Sequence, residues 1–279
     1  MNPKLSLKVV ATLFLALSAF PAYAQVAGPI APPPKFEAKQ IPAKPEPGAP
    51  PLPAEEMIHR FTANEDLIKK AFDSQSYDQS VRVEELVDNG GNFNFSGQVY
   101  TKSDGQRYVR VVKPPESSLK YTEFSLEDVK TVDGFPLFIL SKDKLPLYNL
   151  SYEGKEKLDE IDTFIFRVKP KQLGKDPLFD GVVWVDTQDF AIVKTYGQFM
   201  TLAGNYPASF PFTMFDTYRE NLQGHFWFPT YLRSDGSVQT QQGEVPIRLV
   251  VRATDFKPAS AEAPAPAAPS KPPGTPNHR

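Results

Sequence analysis

The spacing of apolar residues predicts one helix followed by a long series of strands. Between Met57 and Phe72, apolar residues recur at a period near 3.6, which is typical of an amphipathic α-helix with one buried face. Beyond this helix the period changes to two. In the last such segment Ile247, Leu249 and Val251 fall on one side of the chain, so this segment is predicted to be a strand with one buried face.

Turn residues separate the predicted strands into a meander of antiparallel hairpins. Asn89 and Gly90 form a dipeptide typical of tight hairpin turns, in which glycine accepts a positive φ. Ser125 with Asp128 predicts the cap of one short helix around Leu126. About nine to eleven antiparallel strands in one sheet must curl strongly to bury their apolar face. We therefore predict an α+β fold, a large unclosed half-barrel with one or two helices on its concave side.

The first residues have the three parts of a secretory signal peptide. Lys4 and Lys8 precede a short apolar run, and residues 22–24 read Ala-Tyr-Ala, which provides the small residues that a signal peptidase requires. Residues 1–24 are therefore predicted to be cleaved before Gln25. Because the chain contains no cysteine, it offers no disulfide, no thiolate metal site and no cysteine for lipid attachment. We expect a periplasmic protein, with secretion as the alternative.

Two proline-rich stretches enclose the predicted domain. Residues 25–53 and 257–279 contain few side chains that a core could bury, and they are predicted to be a disordered linker and a disordered tail. The half-barrel domain is therefore expected over residues 54–256, a usual size for one domain of this class.

The charges and motifs favour neither nucleic-acid binding nor catalysis. The formal net charge is −2 and the chain has no basic stripe, which excludes typical nucleic-acid binding. His59, His225 and His278 lie far apart in the sequence, and no nucleophile elbow or phosphate-binding loop is present. Adjacent carboxylates such as Glu84 and Glu85 point to opposite faces of a strand, so they are expected to be solvated. We predict no enzyme activity, no metal and no cofactor.

Aromatic residues are concentrated in the later predicted strands. The chain contains 21 Phe, 11 Tyr and 2 Trp, more than half a dozen of which fall between residues 164 and 228. Most are expected to form the core, and the remainder are expected to line an apolar cavity. The predicted lining residues are Phe164, Phe166, Trp184, Phe212 and Trp227.

Three strand segments carry a resemblance to a known family. Residues 152–154 (Tyr-Glu-Gly), 179–186 (Phe-Asp-Gly-Val-Val-Trp-Val-Asp) and 226–230 (Phe-Trp-Phe-Pro-Thr) resemble the strand signature of bacterial outer-membrane lipoprotein-sorting proteins, the LolA/LolB-like group of carriers. The resemblance covers residues 53–256. It implies an unclosed antiparallel barrel with helices on its concave side, enclosing an apolar cavity that holds acyl chains in family members.

These features predict a periplasmic protein that binds a lipid or a lipidated protein in an apolar cavity, as a carrier or sensor in envelope biogenesis. The expected partners are lipid acyl chains or lipoproteins, together with inner- or outer-membrane envelope proteins. The alternative is a non-catalytic envelope scaffold or interaction module whose sheet is fully packed. A continuous apolar pocket would favour the binding protein, and a filled interior would favour the scaffold.

Overall fold

The computed structural model describes residues 43–101, 107–208, 210–222, 224, 226–241 and 243–259 of the 279-residue chain. Within these ranges the chain forms helix α1 (Ala54–Asp73), helix α2 (Leu126–Asp133) and a short 3₁₀ helix (Leu145–Leu147). The strands are β1 (Gln75–Glu85), β2 (Asn92–Thr101), β3 (Arg107–Ser117), β4 (Tyr148–Leu158), β5 (Ile161–Pro170), β6 (Leu178–Asp186), β7 (Ile192–Thr201), β8 (Gly204–Tyr206), β9 (Phe215–Leu222), β10 (Phe226–Thr240) and β11 (Gly243–Pro258). The predicted signal peptide, residues 25–42 of the predicted linker and residues 260–279 of the predicted tail lie outside the described residues.

The strands form a single antiparallel sheet. Their order is β3-β2-β1-β11-β10-β9-β7-β6-β5-β4, and the short β8 pairs with β7. Neighbours in the chain pair as hairpins, while β11 returns to pair with β1 and thereby joins the two meanders. The two end strands, β3 and β4, do not pair with each other in the described part of the chain, so the sheet stays unclosed. This confirms the predicted half-barrel with two helices.

Both helices pack on one face of the sheet, which we call the inner face. Met57 and Phe61 of α1 and Val129 and Val132 of α2 belong to one buried core with the inward-pointing residues of the strands. The apolar stripe of α1 is buried along its length, and Phe72 near its end is 1% exposed. The helical period in the sequence therefore identified the buried face of α1 correctly.

One end of the sheet is covered by residues from the stretch predicted to be a linker. The Glu46 backbone N–H donates to the Lys155 carbonyl at 2.7 Å, and the Lys155 N–H donates back at 3.2 Å. Gly154, at φ +145°, permits this approach, because a Cβ at this position would lie 2.3 Å from the Glu46 carbonyl oxygen. Glu46 thus binds backbone groups that the edge strand β4 offers at Lys155, while the linker predicted over residues 25–53 stays a prediction.

Candidate functional site

An open apolar groove of about 640 Å³ lies between α2 and the end of the sheet formed by β1, β2 and β3. We call it the α2 groove. Its volume falls within the range of about 300–1,000 Å³ that is usual for small-molecule sites. Its apolar walls are formed by Phe95, Val99, Val109, Val111, Leu126 and Val129.

Four residues of β3 line the α2 groove: Arg107, Tyr108, Val109 and Val111. Val112 is the extra residue of a β-bulge, since Gly97 pairs with Val111 and Ser96 with Lys113, and it does not line the groove. Opposite them, Gly97 of β2 has no side chain to fill the space. A Cβ at Gly97 would lie 2.5 Å from Val109 Cγ1 and 2.9 Å from Phe95 Cζ. A glycine at this position therefore lets the flanking side chains pack over the backbone of β2.

The helix that forms the second wall is held by its cap. The backbone N–H and the hydroxyl of Ser125 both donate to Asp128 Oδ2 at 2.8 Å, as the sequence predicted. Val129 is 2% exposed and lies against the sheet. The segment before α2 is held separately, because the Glu85 carboxylate accepts hydrogen bonds from the backbone N–H groups of Lys120, Tyr121 and Thr122.

The prediction that Glu85 is solvated is therefore wrong. Its side chain is buried and accepts four backbone N–H groups, including that of Gly91 at 2.7 Å. Burial by itself favours the neutral carboxyl, but these hydrogen bonds outweigh it and lower the pKa of Glu85. Its partners lie in a loop about 35 residues away, and the acidic pair in the sequence gives no sign of them.

One end of the α2 groove is polar. Gln79 Nε2 donates to Asp133 Oδ1 at 2.6 Å. Arg107 Nη2 donates to the backbone carbonyls of Asp133 at 2.8 Å and Phe135 at 3.3 Å. Burial raises the pKa of Asp133, although the hydrogen bond from Gln79 and the charge of Arg107 act against this. Burial likewise raises the pKa of Tyr77, which lies beside Arg107.

A smaller space of about 50 Å³, which we call the polar chamber, adjoins this end of the groove. The α2 groove and the polar chamber share Tyr77, Arg107 and Asp133 in their walls. Gln79, Thr217 and Thr230 line the chamber but not the groove. Much of the chamber wall is apolar, including Val132, Leu137, Leu232 and Val251, so the groove ends in a small space with a few polar side chains in its wall.

Three of the predicted cavity-lining residues lie instead in the packed core. Phe164, Phe166 and Phe212 are 4%, 0% and 1% exposed, respectively. The Phe166 ring packs edge-on against Phe61 of α1, with centroids 5.1 Å apart. The structure therefore brings these three rings into one core, and their role as ligand-binding residues stays a prediction.

The two predicted tryptophans lie elsewhere. Trp184 pairs with Ile165 in the sheet and so points to the outer face, where its Nε1 donates to Glu156 Oε2 at 3.0 Å. Trp227 is partly buried, and its Nε1 donates to Asp189 Oδ2 at 3.1 Å. Neither tryptophan lines the α2 groove. Sequence reasoning missed the groove because its walls are mostly valine, and the available signal was the apolar run at Val109, Val111 and Val112.

The outer face carries a buried cluster of charges. Lys194, Asp216 and Arg233 are 4%, 0% and 3% exposed. Lys194 Nζ lies 3.6 Å from Asp216 Oδ1 and 4.4 Å from the centroid of the Trp184 ring. Burial raises the pKa of Asp216 to about 6, although Lys194 and Arg233 act in the opposite direction.

Within the described ranges, no three His, Cys, Asp or Glu side chains come together as a metal site. His59 lies exposed on α1, while His225 and His278 fall outside those ranges. No helix in the described part of the chain is both long and apolar enough to cross a membrane. The predicted lack of catalysis and of cofactors stays a prediction.

The chain is similar in fold to several solved structures. The chain is similar to a DUF1329 family protein from Desulfovibrio piger, with 13% identity, a TM-score of 0.38, and 76% of this chain and 95% of that chain covered. It is similar to an outer membrane lipoprotein-sorting protein domain from Vibrio parahaemolyticus, with 13% identity, a TM-score of 0.38 and coverage of 75% and 95%. It is also similar to a chain of the Pseudomonas aeruginosa MucA/MucB complex, with 11% identity and a TM-score of 0.22, and the match covers 72% of this chain and 99% of that chain. Comparisons with protein-family models and with curated proteins found no match.

Proposed function

We propose that this protein is a non-catalytic binding protein that holds the acyl chain of a lipid or of a lipidated protein in the α2 groove. The observation that carries the proposal is an open groove of about 640 Å³ walled by apolar side chains of β2, β3 and α2. Burying one methylene contributes about 0.8 kcal/mol, so a chain of about a dozen carbons can be held without a charged contact.

The place of action is proposed from the predicted signal peptide. Export through residues 1–24 would bring the protein to the periplasm, where acyl chains need shielding from water as they move between membranes. A carrier or a sensor of lipidated envelope proteins would meet both lipoproteins and membrane-bound partners there.

Acyl binding in the α2 groove can be tested by placing a charge at the rim of the groove. Val111 is 47% exposed and lines the α2 groove, so Val111→Glu places a carboxylate beside the bound chain with little effect on the core. We expect fluorescent acyl probes to bind the unaltered protein about fourfold more tightly per added methylene until the groove is full. Val111→Glu should weaken the longest probe by at least about tenfold, because the new charge must be desolvated.

Val112→Glu is the matched control. Val112 is 56% exposed on the same strand and does not line the groove, so this variant changes the net charge equally and leaves the groove walls unaltered. Acyl affinity should be unchanged in Val112→Glu. Equal losses in the two variants, or an affinity that ignores chain length, would contradict acyl binding in the α2 groove.

The scaffold function remains the second candidate, because one observation favours it. Beneath α1 the inner face is filled, with Phe61 in ring contact with Phe166 and both fully buried. An envelope scaffold needs only such a packed sheet. Failure of every acyl probe to bind the full mature chain below about 100 μM would favour the scaffold.

A further inference from the structure

We infer that the polar chamber at the end of the α2 groove selects the head group of the ligand, and that this head is small, uncharged and able to donate a hydrogen bond. A hydroxyl or a carboxamide has this chemistry. The inference rests on the proposed acyl-binding function and adds the chemical class of the ligand to it.

Two buried polar atoms of the chamber residues have no hydrogen-bond partner in the described part of the chain. They are Gln79 Oε1 and Thr230 Oγ1, and each residue is 7% exposed. Leaving buried polar groups unpaired costs free energy, so most of them in folded proteins have a partner. The two residues come from different strands, β1 and β10, yet both line the same space of about 50 Å³.

The unpaired Oε1 atom of Gln79 determines which kind of head group can bind. Because Gln79 Nε2 already donates to Asp133 Oδ1, the atom that remains is the carbonyl oxygen, which can only accept. A hydroxyl or an amide N–H supplies the missing hydrogen. The Thr230 hydroxyl can accept from the same head group or donate to it.

The charged groups around the chamber do not favour a carboxylate head. A carboxylate has no hydrogen for Gln79 Oε1, and it would lie near the Asp133 carboxyl, which also lines the chamber. Arg107 also lines the chamber and has donors besides Nη2, which donates to the carbonyls of Asp133 and Phe135, so the preference against a carboxylate rests on Gln79 Oε1 and Asp133. The size of the space agrees with a small head, since about 10–15 Å³ of such volume is enough for one water molecule.

The orientation of the ligand follows from the shared wall. Tyr77, Arg107 and Asp133 border both spaces, so a chain lying along Val109 and Val111 has one end at the chamber. The head group of the ligand lies in the polar chamber, and its alkyl chain extends toward the open part of the groove near Leu126.

The test uses three ligands with the same alkyl chain: dodecanol, dodecanamide and dodecanoate. Their affinities are measured on the full mature chain by displacement of a fluorescent acyl probe at pH 7. We expect the alcohol and the amide to bind about three- to tenfold more tightly than the carboxylate. Thr230→Val should weaken binding of the alcohol and of the amide about threefold or more, because it replaces one of the two groups that bind the head with a methyl group.

Thr230→Val is a sharp variant because it breaks no hydrogen bond within the described residues, so its melting temperature should not fall. The matched control is Thr217→Val. Thr217 also lines the chamber, but its Oγ1 is 2.6 Å from Thr195 Oγ1 and is therefore already paired. The head preference should persist in Thr217→Val.

Four outcomes would overturn the inference. Tightest binding of dodecanoate, or equal affinity for all three heads, would show that the chamber does not select an uncharged head, and either result would leave the proposed function intact. Unchanged affinities of the alcohol and the amide in Thr230→Val would place head binding elsewhere. If no probe of any length binds, the proposed function fails together with the inference.

Discussion

The inner face of the sheet has two halves that differ in how their helix is packed. Beneath α1, a helix of 20 residues, the space is filled by rings such as Phe61 and Phe166 and closed by the ion pair of Glu65 with Arg219. Beneath α2, a helix of 8 residues, valines leave the groove of about 640 Å³. The same sheet thus supports a packed half that holds the fold and an open half that is free to bind.

The difference comes from side-chain size and from helix length. A long helix presents several turns to the sheet, and its aromatic partners fill the distance between the two layers. The short helix α2 contacts the sheet mainly through Val129 and Val132, which are 2% and 5% exposed. Val109 and Phe95 already pack over the backbone of Gly97. The groove therefore follows from the few contacts that α2 makes with the sheet, and valines such as Val99 and Val109 form part of its walls.

The largest expected effect is the loss of the buried ion pair in the packed half. Arg219 Nη1 and Nη2 lie 2.6 and 2.8 Å from the two carboxylate oxygens of Glu65, and both side chains are nearly inaccessible. Arg219→Ala should lower the free energy of unfolding by about 3–5 kcal/mol, because it leaves a buried charge without its partner. Urea unfolding followed by circular dichroism measures this loss.

Two further variants show whether the loss in the free energy of unfolding comes from the unpaired charge of Glu65. The double variant Glu65→Met with Arg219→Met should be more stable than Arg219→Ala, since it leaves no charge behind. Lys69→Ala removes the exposed α1 partner of Asp73 and should cost no more than about 0.5 kcal/mol. A small effect of Arg219→Ala would mean that the packed half does not depend on this contact.

The sequence predicted local features of both halves and missed their long-range contacts. The apolar period of α1 and the cap of α2 are local signals, and both proved correct in the structure. Glu65 is different, because it pairs with a residue 154 positions away and no local pattern shows whether such a carboxylate is buried. Long-range partners of buried charges depend on the sheet register, which the sequence pattern did not determine.

Local sequence patterns also failed to locate the candidate site. Counting aromatic residues led to Phe164 and Phe166, which strand alternation places in the core, and to Trp184, which it places on the outer face. A groove is a place where side chains are small, so a search for large apolar residues finds the packed half instead. The position of Thr230 in the polar chamber lies next to a register shift in β10, which the sequence does not reveal.

The second prediction uses pH to separate the outer face from the two inner halves. Because the pKa of Asp216 is raised from 3.8 to about 6, the folded state holds this proton more tightly than the unfolded state does. Its contribution to the free energy of unfolding is therefore largest below pH 4 and is lost as the pH rises through about 6. Lowering the pH from 7 to 5 should stabilise the protein by about 1 kcal/mol through this group.

Two asparagine variants show how much of the pH dependence of stability comes from the outer face and how much from the open half. Asp216→Asn should remove most of the difference in stability between pH 5 and pH 7, measured by urea unfolding at each pH. Burial raises the pKa of Asp133 as well, so Asp133→Asn should remove a further part that belongs to the open half. An unaltered pH dependence in Asp216→Asn would contradict the role assigned to the outer-face cluster.

The smallest expected effect on stability concerns the cap of α2. Asp128→Ala removes the carboxylate that accepts from both the N–H and the hydroxyl of Ser125, which should cost about 1 kcal/mol and lower the melting temperature by about 2–4 °C. Asp128→Asn keeps an acceptor and serves as the control. Because α2 forms a wall of the groove, Asp128→Ala should weaken acyl-probe binding, measured by titration, although the packed half stays folded. An unchanged acyl affinity in Asp128→Ala would show that the open half does not need an intact α2, and the two halves would then differ in packing without differing in function.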